Sequence, residues 1–247
     1  MPNRSRLDVE MTRRGLAESR ESAQRLIMAG RVRINSRPAV KADLRVDDAV
    51  TIAVVGAAHE YASRGAYKLI AALDYFGLEV TERYALDVGA SNGGFTDVLL
   101  RRGAAAVIAL DVGYGQLAEY LRIDPRVRVM DRVNIRHVVP ADLPYVPDLV
   151  VIDTSFISLK LVLPAVLRLV ARPGEIVALV KPQFEVGKGQ VGKGGVVRDA
   201  TLREAALRAV LEEATRLRLE CAGSLMSPIT GAAGNCEYVA LFRAVVA

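Results

Sequence analysis

The sequence has no tryptophan, and aromatic residues make up only 5% of its 247 positions, so its core must be built mostly from Val, Leu, Ile and Ala. Cysteine is scarce too: Cys221 and Cys236 are the whole supply, alongside His59 and His137. Nothing in a cytosol-like chain argues that the two cysteines pair. Neither has metal-ligand spacing with a histidine, so no metal site is expected. Long hydrophobic runs are missing. The most apolar stretch, 161–180, is interrupted by Arg168, Arg172 and Glu175, which excludes a spanning helix there. The opening residues MPNRSRLDVE contain no apolar segment of the signal-peptide kind, and a cytoplasmic location is expected. What is present is ordinary for a soluble globular protein: 51% hydrophobic and 25% charged residues. The length fits one large domain, or a medium one with a small companion.

The net charge of +5 is unevenly placed. Residues 1–41 carry Arg4, Arg6, Arg13, Arg14, Arg20, Arg25, Arg31, Arg33, Arg37 and Lys41 against only Asp8, Glu10, Glu18 and Glu21. The remainder is close to neutral, so a polyanionic partner is expected at this end. The same region has local order. Ser19 is a good N-cap for a helix bearing Ala23, Leu26 and Ile27 and closed by Gly30. Residues 32–35 alternate like a strand, residues 35–38 (NSRP) read as a turn, and Val46 and residues 50–54 read as short strands. A small α+β domain is expected over 1–58, a linker over 59–63, and a larger domain over 64–247.

The larger domain is organised around residues 84–96, YALDVGASNGGFT. An apolar strand (84–88) runs into Gly89-Ala90-Ser91-Asn92-Gly93-Gly94 and then an amphipathic helix from Phe95. Strand, glycine turn and helix in that order build a nucleotide-type site at the carboxyl edge of a parallel sheet. Glycine suits a tight turn that the ligand approaches closely. The turn is neither G-x-G-x-x-G nor a Walker A loop, because Asp87 opens it and no lysine follows. That carboxylate would repel a pyrophosphate but not the ammonium and sulfonium of S-adenosylmethionine, so the turn reads as a methyl-donor site. A second strand, 107–110, ends in Asp111, placed to accept from ribose hydroxyls. A third, 127–130, ends in Asp131, an acceptor for the adenine amino group, with Asn134 close behind.

Strands at 149–152 and 174–180 end in Asp153 and Lys181. Residues 61–69 are expected to enter a helix that continues to 75 (Leu69, Leu73 and Phe76 inward, Lys68 beside them), and further helices are expected over 117–121, 159–170 and 202–217. Asp199 or Thr201 would cap the last of these, with Leu207, Val210 and Leu211 on its buried side. Alternating strands and helices predict a doubly wound, mostly parallel sheet, Rossmann-like. The two last strands, 219–225 and 238–246, read as an antiparallel pair at its edge, with Glu237 where the second begins. Residues 182–198, rich in Gly and Lys, read as a flexible basic loop over a substrate cleft. Residues 187–193 imitate a Walker A loop, but position 194 is Gly rather than Ser or Thr.

Two resemblances now attach to these residues. Arg6-Leu7-Asp8 together with GLAESRESAQRLIMAGRVRINSRPAVKADLRV resembles the RNA-binding module named after ribosomal protein S4. The segments SRGAYKL, LDVGASNGGFTD, ALDVGYGQL, DTSFISL, LVKPQFEVGK and NCEY resemble the FtsJ type of methyltransferase. The whole chain is similar to the TlyA, or haemolysin-like, family of rRNA ribose 2′-O-methyltransferases. The resemblance implies S-adenosylmethionine as methyl donor and cytidine 2′-hydroxyls of small- or large-subunit rRNA, or of assembled subunits, as acceptor. It implies no stable membrane association. The family's Lys-Asp-Lys-Glu set falls on Lys68, Asp153, Lys181 and Glu237. The expected donor set is Ser63, Asp87, Gly89, Ala90, Ser91, Gly93, Gly94, Phe95, Asp111, Val112, Asp131 and Asn134. The expected RNA contacts are Arg4, Arg6, Arg20, Arg31, Lys41, Arg64, Lys188 and Lys193. The family often has Thr where this chain has Asn92; the turn geometry rests on the glycines.

A ribose 2′-hydroxyl is a weak nucleophile that must lose its proton as it attacks the sulfonium methyl in line. A lysine accepts that proton only as the neutral amine, which burial and a second nearby lysine both favour. Lys181 is therefore expected nearest the hydroxyl. Lys68 would orient the ribose, and Asp153 and Glu237 would hold the lysines. Rival readings are weaker. A pseudouridine synthase would carry no methyl-donor turn. A base methyltransferase would show N/D-P-P-aromatic or paired catalytic cysteines. A non-catalytic RNA-binding or membrane-lytic protein leaves the glycine turn unexplained, and the lytic form would need an exposed amphipathic or spanning segment.

Overall fold

The computed structural model describes residues 4–245 except 18, 29, 40, 55–60, 188, 193 and 232, together with all their side chains but that of Arg25. It divides into two compact units, Met1–Glu60 and Tyr61–Ala247. The second unit therefore begins at Tyr61, three residues before the boundary expected at 64, and Tyr61, Ala62 and Ser63 belong to it rather than to a linker. The reason is local packing. The Ala62 N–H donates to Asp97 (2.8 Å), and the Arg101 guanidinium lies over the Tyr61 ring at 4.5 Å.

In the first unit, helices α1 (Leu7–Arg13) and α2 (Arg20–Met28) pack on short strands. Strand β1 (Ser5–Arg6) pairs with β4 (Arg45–Val46), and β2 (Val32–Ile34) lies between β3 (Arg37–Pro38) and β5 (Ile52–Val54). Leu7, Met11, Ala23, Ile27, Val32, Val46 and Ile52 form its core. Ser19 Oγ caps α2 by accepting from the Ser22 N–H at 3.1 Å, as the sequence suggests. The β2–β3 hairpin closes through Asn35 and Ser36, both at positive φ (46° and 68°), as a two-residue primed turn requires.

The second unit is built on seven strands: β6 (Tyr84–Val88), β7 (Ala106–Asp111), β8 (Val127–Asp131), β9 (Leu149–Ile152), β10 (Gly174–Val180), β11 (Glu220–Met226) and β12 (Tyr238–Ala244). Their spatial order is β11-β12-β10-β9-β6-β7-β8. All neighbours are parallel except those of β12, which runs antiparallel to both β10 and β11. Strands of this kind are buried on both faces and read as unbroken apolar runs, and LVVI of β9 is buried at every position. Helices α3 (Ala66–Phe76) and α4 (Gly94–Arg101) cover one face, where Leu69, Leu73 and Leu99 meet Val107 and Val151. Helices α6 (Leu159–Leu167) and α8 (Ala200–Arg216) cover the other, where Val162, Val166 and Val210 meet Val150 and Ile176. Asp199 is the α8 cap, accepting from the Thr201 N–H at 2.8 Å.

Two local expectations need correction. The short helix expected at 117–121 lies at Glu119–Arg122 (α5). The basic loop after β10 starts with a helical turn, α7 (Pro182–Glu185), and contains a bridge between Gly192 and Val196. Lys188 and Lys193, expected on that loop as RNA contacts, lie outside the described residues.

Candidate active site

The sheet explains how remote residues share one edge. Asp153 and Lys181 follow the carboxyl ends of the parallel strands β9 and β10. β12 runs the other way, so Glu237, which precedes it, stands at the same edge. Lys68 comes from the first turn of α3.

Two ion pairs result. Lys68 Nζ lies 2.5 Å from Glu237 Oε2, although 169 positions separate them in the chain. Lys181 Nζ lies 2.6 Å from Asp153 Oδ1, with angles outside those of a hydrogen bond, and donates to Ser155 Oγ at 2.9 Å. Both lysines are only 8% exposed and Glu237 only 2%. Charges so enclosed persist only when paired. Lys68, Lys181 and Asp153 line one cavity of about 300 Å³ with Ser63, Arg64, Gly89, Ala90, Ser91, Gly94 and Phe95. A second cavity, of about 680 Å³, is lined by Asp111, Val112, Asn134, Leu110, Ile135 and Phe156 among others. Gly89, Ser91, Asp153 and Ser155 belong to both linings. An elongated ligand thus finds an apolar slot with an acid at one end and the two amines at the other.

The glycine turn joins the cavities. Gly89 has φ 89°, and a Cβ there would stand 2.7 Å from the Asp153 carbonyl oxygen. A methyl at Gly94 would collide with Ser63 Oγ. The turn is held from beneath by Asp87, which is fully buried and accepts at Oδ2 from the Thr96 N–H (2.9 Å) and hydroxyl (2.7 Å). Burial, opposed in part by those two donors, pushes the Asp87 carboxyl up from its ordinary 3.8 to about 7. A carboxyl raised in this way holds its proton more tightly in the folded state. Its contribution to stability is therefore complete below the unfolded value of 3.8 and lost as pH rises through about 7. Replacing Asp87 by Asn, whose carbonyl can accept both Thr96 donors, should flatten that part of the pH–stability curve. The difference from the parent is expected to be on the order of 4 kcal/mol at most across the window. Urea unfolding at several pH values reads it.

Of the expected donor set, Asp87, Gly93 and Asp131 line neither cavity. Asp87 supports the turn, Gly93 packs against Leu117 and Leu121, and Asp131 accepts from the Gly115 N–H (3.0 Å) and pairs with Arg122 at 3.2 Å. Asp111 is occupied on both oxygens, by the Ser91 and Gly113 N–H groups, but still lines the larger cavity. Sequence reasoning missed Ser155, Phe156, Gln116, Ile229 and Thr230, all of which line one cavity or the other. Ser155 and Phe156 had a hint in the DTSF segment at a strand end, and Gln116 in the ALDVGYGQL segment; Ile229 and Thr230 carry no local signal. Among the described residues no group of three His, Cys, Asp or Glu could hold a metal ion.

Residues 61–244 match the model of the FtsJ-like methyltransferases, and residues 5–52 match that of the S4 domain. The chain is 52% identical over 244 residues to the 16S/23S rRNA (cytidine-2′-O)-methyltransferase TlyA of Mycobacterium tuberculosis, covering 98% of this chain and 91% of that one. The chain belongs to the TlyA family of FtsJ-like methyltransferases. A solved structure described as a putative hemolysin from Streptococcus thermophilus superposes on it with a TM-score of 0.78 at 42% identity, over 99% of this chain and 90% of that one. The N-methyltransferase NodS of Bradyrhizobium japonicum in complex with S-adenosyl-L-homocysteine shares the fold alone, at a TM-score of 0.52 and 15% identity, over 75% and 89% of the two chains. Among the described residues, no helix is long and apolar enough to cross a membrane.

In this TlyA-family chain the basic first unit is less freely positive than its composition suggests. Asp8 is fully buried and gathers Arg6 (2.9 Å), Arg20 (3.0 Å) and Gln24 (2.7 Å). These donors, the Arg6 guanidinium foremost, hold the Asp8 carboxyl well below the usual carboxylate range. Glu10 does the same with Arg13 and Arg14. Arg6 and Arg20, expected to contact RNA, are each paired with Asp8. Arg4, Arg37 and Lys41 are exposed, as is Arg64 in the second unit, while Arg31 is half-buried and engaged.

Proposed function

We propose that this chain transfers the methyl group of S-adenosylmethionine to a cytidine 2′-hydroxyl of ribosomal RNA, with Lys181 taking the hydroxyl proton. The observation that carries the reading is that two buried lysines, each paired with a carboxylate, line a cavity that shares its wall with the glycine turn. The donor's nucleoside end suits the larger cavity, where Asp111 meets apolar walls, and its methionine end suits the turn. Bound there, S-adenosylmethionine supplies an activated methyl; the chain supplies position and proton transfer.

Lys181 donates to Ser155 Oγ and lies against Asp153, and it is the lone pair of its neutral amine that would take the proton of the acceptor hydroxyl. Asp153 stabilises the ammonium that forms. Lys68, fixed by Glu237, presents a cation to the ribose oxygens. Mapping 2′-O-methyl groups on 16S and 23S rRNA incubated with the chain and labelled donor tests the whole reading. Label in base carbons or nitrogens, or none in RNA, would overturn it.

The S4-like unit would grip folded RNA by shape and phosphate contacts rather than by base edges. Replacing Arg37 and Lys41 by Gln should weaken RNA affinity and lower the salt slope by about one for each phosphate no longer neutralised. Donor affinity should not change. Replacing Arg6 or Arg20 instead leaves Asp8 under-compensated, so the effect should appear as lower thermal stability of the unit. Unchanged RNA affinity for Arg37→Gln/Lys41→Gln would place the grip elsewhere.

A further inference from the structure

Two loops leave the sheet side by side, because β9 and β10 are parallel neighbours with Ala178 opposite Ile152. One is the segment 153–158, which lines both cavities; the other is Lys181 followed by α7. They are joined at three levels. At the base, Lys181 meets Asp153 and Ser155. In the middle, the rings of Phe184 and Phe156 stand 5.2 Å apart. At the far end, Glu185 accepts from Ser158 Oγ at 2.6 Å and from the Leu159 N–H at 2.8 Å.

Glu185 thus closes the amino end of α6 from a neighbouring element. It satisfies an amide that has no partner within the helix and fixes the hydroxyl of the cap residue, whose Oγ accepts from the Lys160 N–H at 3.1 Å. Between the two anchors lies Phe156 at φ 64°, a conformation a bulky side chain rarely adopts. Such a residue keeps that backbone only when its surroundings over-determine it. Burial raises the Glu185 carboxyl, against the pull of Ser158 and Leu159, as for a group enclosed for its contacts rather than for solvation. Glu185 itself lines neither of the two cavities.

Resting on the assignment of Lys181 above, we infer that Glu185 is a positioning residue for methyl transfer. It holds the far end of the 153–158 loop whose near end Lys181 holds, so that Asp153 and Ser155 keep the amine aimed. With the loop released, both the donor pocket and the amine lose register. Misplacement on the scale of an ångström is worth between about tenfold and about a hundredfold in rate.

The test uses the full chain. Glu185→Ala should lower kcat by about ten- to about a hundredfold and weaken S-adenosylhomocysteine binding in calorimetry, while RNA affinity stays at the parent value. Glu185→Gln should restore most of both, since its carbonyl can accept from the Leu159 N–H and its amide can donate to Ser158 Oγ. Ser158→Ala added to Glu185→Ala should lower kcat little more than Glu185→Ala alone, because their shared hydrogen bond is already gone. The lost cap on the Lys160 N–H should show in the urea midpoint instead. A merely structural role would lower the urea midpoint and leave kcat and S-adenosylhomocysteine affinity per folded molecule intact; that result overturns the inference. If the parent binds S-adenosylhomocysteine yet methylates no ribosomal RNA, the substrate reading falls. The donor affinity of Glu185→Ala then decides the role of Glu185 by itself.

Discussion

Lys181→Ala is expected to lose methyl transfer by about 10²- to 10⁴-fold, the usual effect of removing a positioned general base. The side chain is only 8% exposed, and its amine meets Asp153 and Ser155 at the wall of the smaller cavity. Among the described residues of that wall no other amine stands ready to replace it, because Lys68 is held by Glu237. Lys181→Arg should be as inactive as the alanine variant, because a guanidinium stays protonated and cannot accept the hydroxyl proton. Donor affinity should change little in either variant, since the larger cavity does not include Lys181. Methylation of rRNA followed beside donor calorimetry separates the two effects. Undiminished methylation by Lys181→Ala would remove the lysine from the mechanism.

Gly89→Ala is the second large effect, and it falls on donor binding. A side chain at φ 89° is strained by roughly 1–2 kcal/mol. The added Cβ would also press on backbone, 2.7 Å from the Asp153 carbonyl oxygen and 3.2 Å from the Thr154 nitrogen. Backbone cannot rotate aside, so overpacking adds about 1–3 kcal/mol. Relief requires the turn or the 153–154 segment to move, and each forms a wall of both cavities. Charged fully against the binding-competent state, the sum corresponds to roughly thirty- to several-thousandfold weaker S-adenosylhomocysteine binding. RNA affinity, assigned above to the other unit as a proposal, should be retained. Parent-like donor affinity in Gly89→Ala would show that the ligand does not rest on this turn.

The family, the doubly wound sheet and the S4-like unit were legible in contiguous stretches of sequence, because periodicity, caps and glycine turns are properties of neighbouring residues. Thus strand ends at Asp111, Asp131, Asp153 and Lys181 and the closing antiparallel pair lie where the pattern puts them. Partnership was not legible there. That Asp131 turns to Arg122, that Asp8 holds Arg6 and Arg20 inward, and that Asp87 grips Thr96 beneath the turn depend on which groups fold against one another. Lys68 shows the limit most plainly: on its helix it reads as an ordinary surface lysine, and it is buried against Glu237. Strand order together with the packing of α3 on the sheet brings those two together across 169 positions, and no local pattern encodes either. The glycine turn and the family resemblance of the motifs therefore pointed to the chemistry the chain carries. The tertiary structure decided which carboxylate answers which amine, because a buried charge takes the partner that packing leaves within reach.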